Sequence, residues 1–178
     1  MTEAIESEAK ATAGKVIDIF VDDRLKNLPL PETFWEDAYV LGFLMCAAMQ
    51  MTQGRYGDEL EPLLAAEAAF QALGDVSGLG TEAIKTRVGE CQDGCDADYF
   101  QAMVSADKLV RYVTGAGNMA HDPLIVAVRE KTDRLIEDGA FGDGDVSAES
   151  AMRATLMTTL FTDVVMERFG IAAAGDVG

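Results

Sequence analysis

The sequence predicts an all-α protein: a single-domain bundle of about six to seven helices around an apolar central helix at about 33–53. Three observations carry that expectation. Apolar residues recur at helical spacing along nearly the whole chain. The 178 residues include 26 Ala and only 4 Pro, with few runs rich in Val, Ile or Thr, which suits helices and not strands. Capping residues and glycines punctuate the pattern at helix-length intervals.

In the first helix, starting near Thr2, Ala13, Val16, Ile17, Phe20, Val21 and Leu25 make one stripe. It must stop before Leu28-Pro29-Leu30-Pro31, because proline disfavours helical geometry in its predecessor. Thr33-Phe34-Trp35-Glu36 spells a capping box for the second helix, which is apolar on nearly every side to Met51 and therefore central. The third is expected from Asp58 to Leu73, with Leu63, Ala66, Phe70 and Leu73 inward and Gly74 as its cap. Thr81 is the expected cap of a short fourth helix to Val88, and Asp96 that of a fifth carrying Tyr99, Met103, Ala106, Val110 and Val113. Asp122-Pro123, a cap followed by an N1 proline, is the clearest helix start; Leu124, Ile125, Val128, Leu135 and Ile136 are its expected inner face. Ser147 caps the last helix, with Met157, Leu160, Phe161, Val164 and Val165 as its stripe and Gly170 as its end. One domain over 1–170 and a frayed tail at 171–178 follow.

Charge excludes more than it identifies. With 14 Lys+Arg against 31 Asp+Glu the net charge is −17, and no basic run interrupts it. Such a surface repels phosphate backbones and anionic lipid, so neither nucleic acid nor a membrane is an expected partner. The acidic start (Met1-Thr2-Glu3-Ala4-Ile5-Glu6) has no basic n-region, and the longest near-apolar run, Ala38–Met49, is far short of the ~20 residues a bilayer span needs. Three cysteines, an odd number, suit a reducing compartment, and a cytoplasmic location is the expectation.

Several familiar chemistries are excluded by residue type. A single histidine, His121, rules out the paired Glu-x-x-His of di-iron bundles and the His-Glu-x-x-His of zincins. No P-loop string is present. Ser7-Glu8-Ala9-Lys10 spells Ser-x-x-Lys without its companion motifs. Gly115-Ala116-Gly117-Asn118-Met119-Ala120 matches a dinucleotide fingerprint as a string, but a helix precedes it where that chemistry requires a strand; a helix C-cap and turn is the reading. Asp143-Gly144-Asp145 lacks the Gly and Glu that a calcium loop needs, since Ala148 and Ala154 stand in those positions.

The one unusual local pattern is Cys91-Gln92-Asp93-Gly94-Cys95. Cys91 and Cys95, joined by His121 across the bundle and completed by Asp93, Asp96 or Asp98, make a candidate zinc site; two small residues at a helix turn, with no cofactor, is the competing reading. Both cysteines are expected to be more accessible than Cys46, which sits in the apolar helix. Nine methionines suggest an adaptable apolar groove. The functional expectation is a non-enzymatic binding protein (a chaperone, adaptor or regulator) that holds a partner peptide, helix or apolar ligand in a Met-lined groove. The alternatives are a small metal- or ligand-binding protein using the Cys91/Cys95 region, and an enzyme whose residues are scattered in sequence. The broad stripes at Val16, Ile17 and Phe20 and at Leu160, Phe161 and Val164 leave room for a homodimer.

Overall fold

A computed structural model describes residues 2–25, 28–142 and 146–171. The fold is all-α, as the sequence predicts, and the helices group into two compact units, Met1–Val110 and Arg111–Gly178. Among the described residues no helix is long and apolar enough to cross a membrane.

In the first unit, α2 (Ala38–Tyr56) is the hub. Every residue from Ala38 to Ala48 is buried, so this stretch has no solvent face. α1 (Thr2–Leu25) and α3 (Pro62–Ser77) pack on it and on each other. The α1 stripe is buried as expected, and Phe20 meets Phe43 edge-on with centroids 5.2 Å apart. α3 turns a different face inward from the one its large residues suggest. Ala65, Ala68, Ala69 and Ala72 are buried with Leu73, whereas Leu63 is 80% exposed. Alanines let α3 lie close against its neighbours, and that gain in packing outweighs burying one leucine in the first turn. The long cations bridge helices at the rim: Lys10 of α1 meets Asp75 of α3 at 2.6 Å.

Two glycines fix how closely elements approach. A Cβ on Gly42 would lie 2.5 Å from the Tyr99 carbonyl oxygen in α5 (Ala97–Thr114), so α5 touches α2 backbone to backbone there. A Cβ on Gly74 would lie 2.5 Å from the Thr81 amide at the start of α4 (Thr81–Asp93). Gly74 is therefore a contact residue inside α3, and the cap is Gly78, left-handed at φ 73°.

The start of α2 also departs from expectation. Asp37, and not Thr33, caps it, its Oδ1 accepting from the Tyr39 amide (2.9 Å) and the Val40 amide (3.1 Å). Aspartate caps as well as threonine or better and stands directly before the apolar run. Residues Glu32–Glu36 form a separate 3₁₀ turn that buries Phe34. Thr81 likewise opens α4 as its first residue, with Gly80 at the cap position.

The second unit holds the last turn of α5, then α6 (Pro123–Glu137), α7 (Ala148–Met157), a π-helical turn at Thr158–Thr162, and α8 (Asp163–Phe169). Asp122 and Ser147 cap as predicted, and Gly170 ends α8 left-handed at φ 63°. α6 packs on α7, where the buried Thr132 hydroxyl donates to the Val128 carbonyl at 2.8 Å. Ile125 and Val128 are buried, but Ile136, expected inward, is 43% exposed. Its helix ends one residue later, at Glu137. Phe161 is fully buried and Leu160 nearly so, as are Val16, Ile17 and Phe20, while Val164 is half-buried.

Gly42→Ala is expected to destabilise the protein by about 1–3 kcal/mol or more, because the new methyl meets a backbone oxygen that cannot rotate away. Gly89→Ala, with open space around its Cβ inside α4, should instead stabilise by roughly 0.5–1 kcal/mol. Urea denaturation of the two variants checks the opposite signs.

Candidate functional site

The 3₁₀ turn before α2 and the outer face of α4 enclose a cleft of about 480 Å³. Phe34 is buried and anchors the turn; its ring meets Trp35 edge-on at 4.9 Å, which turns the indole toward the cleft. Leu79, 45% exposed between Gly78 and Gly80, both at positive φ, lines the opposite side. The tight Gly74–Thr81 contact below holds that wall in place. Arg87 ties the two sides together, its Nε donating to the Glu36 carbonyl at 2.9 Å and its Nη1 to Glu90 at 3.1 Å. Glu36, Glu82 and Glu90 line the cleft together with Arg87 and the apolar Trp35, Leu79 and Ala83. Sequence reading passed over Trp35 and Arg87. The signals were the chain's single Trp, placed beside a proline-bounded turn, and a leucine between two glycines.

A second cleft in this unit, about 350 Å³, lies between α1 and α3 and is more polar. Glu3, Glu6, Ser7 and Lys10 line it. Ser7 and Lys10 thus share a surface, but Lys10 is paired with Asp75. Neither cleft is lined by methionine. Met45 and Met152 are buried core residues, and Met49, Met51, Met103, Met157 and Met166 are half-buried.

The cysteine pattern divides. Cys91 is buried on the inner face of α4 with Ile84 and Val88, correcting the expectation that it is accessible; the spacing 84, 88, 91 places it on the helix stripe and not in the turn. Cys95 is exposed just beyond the helix, at φ 50°. Asp96 spends its carboxylate as the α5 cap, accepting from the Asp98 amide (2.9 Å) and the Tyr99 amide (3.1 Å). His121 is exposed in the second unit. Among the described residues no three His, Cys, Asp or Glu side chains gather as a metal would require. Asp143-Gly144-Asp145 lies outside the described residues.

Cys46 is the third thiol, buried in α2. It donates to the Met103 carbonyl at 3.5 Å and accepts from Gln50 Nε2 at 3.3 Å, and the same amide reaches Asp107 at 3.2 Å. Burial first, and the Asp107 charge second, push its pKa up to about 11. Burial also raises Cys91, against the opposing pull of Arg87.

Native thiol counting should therefore find Cys95 reactive, with Cys91 and Cys46 labelled only after unfolding. The raised thiol also sets a pH dependence. The folded state holds the Cys46 proton more tightly, so its stabilisation is complete below pH 9 and is lost as pH rises toward about 11. Thermal melts across that range should fall more steeply for the wild type than for Cys46→Ala.

No protein family, curated protein or solved structure matches this chain.

Proposed function

We propose that the protein is a non-enzymatic binding protein whose partner is a basic amphipathic segment of another protein, seated in the Trp35 cleft. The observation that carries this reading is the combination of an apolar floor (Trp35, Leu79, Ala83) with a rim of Glu36, Glu82 and Glu90. Apolar side chains of the partner would cover the floor, and Lys or Arg would meet the rim. An arginine suits the site best, because its guanidinium stacks on indole faces and forks onto carboxylates. The internal partners of two rim acids are cheap to exchange: Glu82–Lys85 at 3.4 Å and Glu90–Arg87 at 3.1 Å are surface pairs, which contribute little individually. The wider field points the same way. Residues 1–110 contain 20 Asp+Glu against 8 Lys+Arg, which speeds the approach of a cationic partner.

Trp35, the single tryptophan, reports occupancy directly. Titration with a synthetic helix bearing leucine on one face and arginine on the other should shift its emission saturably. A version with glutamate for arginine should not. Glu36→Gln/Glu82→Gln/Glu90→Gln should weaken the arginine peptide about tenfold or more, and Glu3→Gln/Glu6→Gln, in the other cleft, should leave it within about twofold. Equal losses in the two variants would reduce the interaction to general attraction and overturn the assignment.

A further inference from the structure

The Trp35 cleft already holds a cation of the chain's own. Arg87 of α4 lines it together with the three rim acids. Its Nε donates across the cleft to the Glu36 carbonyl at 2.9 Å, and its Nη1 donates to Glu90 Oε2 at 3.1 Å. A guanidinium arriving from outside would seek the same acceptors, one on the turn and one on α4. We infer, on the reading of this cleft as the seat of a basic segment, that Arg87 is an internal strap. It fills the cation's place in the empty cleft and is displaced when the partner enters.

Three features make Arg87 a releasable strap and not a structural tie. The turn is held without it. Phe34 is buried, its amide donates to the Pro31 carbonyl at 3.0 Å, and the Asp37 amide donates to the Phe34 carbonyl at 3.4 Å. The Asp37 carboxylate then caps α2, so both ends of the turn are fixed by other groups. The strap is also wet. The side chains of Arg87 and Glu90 are 38% and 60% exposed, so solvent and salt screen their pairing and it exchanges readily. Finally, the released side chain keeps negative company on its own side. Glu90, by hydrogen bond, and Asp96, by charge, both favour the cationic form of Arg87, so it can withdraw from Glu36 and stay in a favourable field. A strap of this kind sets a threshold. A lone cation meets a like charge and finds Glu90 engaged, whereas a segment with several bases also gains at Glu36 and Glu82. The apparent affinity is the intrinsic one reduced to the fraction of molecules whose strap is open.

The leucine–arginine helix, titrated against the Trp35 emission of the full chain, tests the strap. Arg87→Gln should bind it about fivefold tighter or more, because a like charge is gone and Glu90 is released. Arg87→Lys, which keeps a cation beside Glu90 without the planar fork, should gain clearly less. Lys15→Gln, which removes an exposed cation of α1 outside the cleft, should stay within about twofold of the wild type. Binding by Arg87→Gln where the wild type shows none supports the strap in its tightest form. Weaker or unchanged binding by Arg87→Gln makes Arg87 a structural tie, and an equal gain in Lys15→Gln reduces the effect to net charge. Either result overturns the strap and leaves the reading of the cleft standing. Binding by neither the wild type nor Arg87→Gln overturns that reading, and the strap with it.

Discussion

A helix with no side to show to water dictates the rest of the first unit. From Ala38 to Ala48 each side chain of α2 is buried, so neighbours must surround it completely. Enclosing one helix in a small unit is a problem of space as much as of hydrophobicity. The sequence meets it with small residues where elements press hardest: Gly42 beneath Tyr99, and the alanine face of α3. Large residues are reserved for the gaps, as where Phe43 lies between Phe20 and Tyr39, edge-on to one and stacked on the other. The Trp35 cleft is a by-product of the same demand. α4 is held at the close Gly74–Thr81 contact while the 3₁₀ turn lies just before the start of α2, and the space between them remains open.

Polar groups inside this unit act as ties between helices. Gln50 holds Cys46 and Asp107 with one amide, joining α2 to α5, and Gln53 Nε2 donates to the carbonyls of Gly57 and Leu60, both at 2.7 Å, fixing the exit toward α3. The surface ion pairs add little individually. Their larger effect is to place positive charge among so many acids and lessen self-repulsion.

What was legible in the sequence follows from how local each signal is. Asp122-Pro123, Ser147 and Gly170 act through groups within a turn of themselves, and the structure repeats them without change. The Thr33 capping box failed because Asp37 offered the same local chemistry at a position that also suited the packing. Gly74 was misread for a deeper reason. A glycine that ends a helix and one that admits a neighbouring backbone look identical in sequence, and only the partner, Thr81, tells them apart. The sites were less legible still. Cys91 and Cys95 are four residues apart yet face opposite environments, while Trp35 and Glu90, far apart in the chain, line one cleft.

The π-helical turn at Thr158–Thr162 has a consequence for how this chain tolerates change in length. A π turn is an α-helical turn carrying one surplus residue. It keeps Leu156 before it and Val165 after it on the buried side while accommodating that extra position. The Thr162 hydroxyl, buried without a hydrogen-bond partner, lies within it. Removing one residue elsewhere in a helix rotates everything downstream by about 100°, exchanging core for surface. Here the same deletion would tighten the turn to ordinary α geometry and leave both flanking stripes in phase. The last helix therefore contains the register slack that a shorter sequence could take up, at one known place, without altering what it buries.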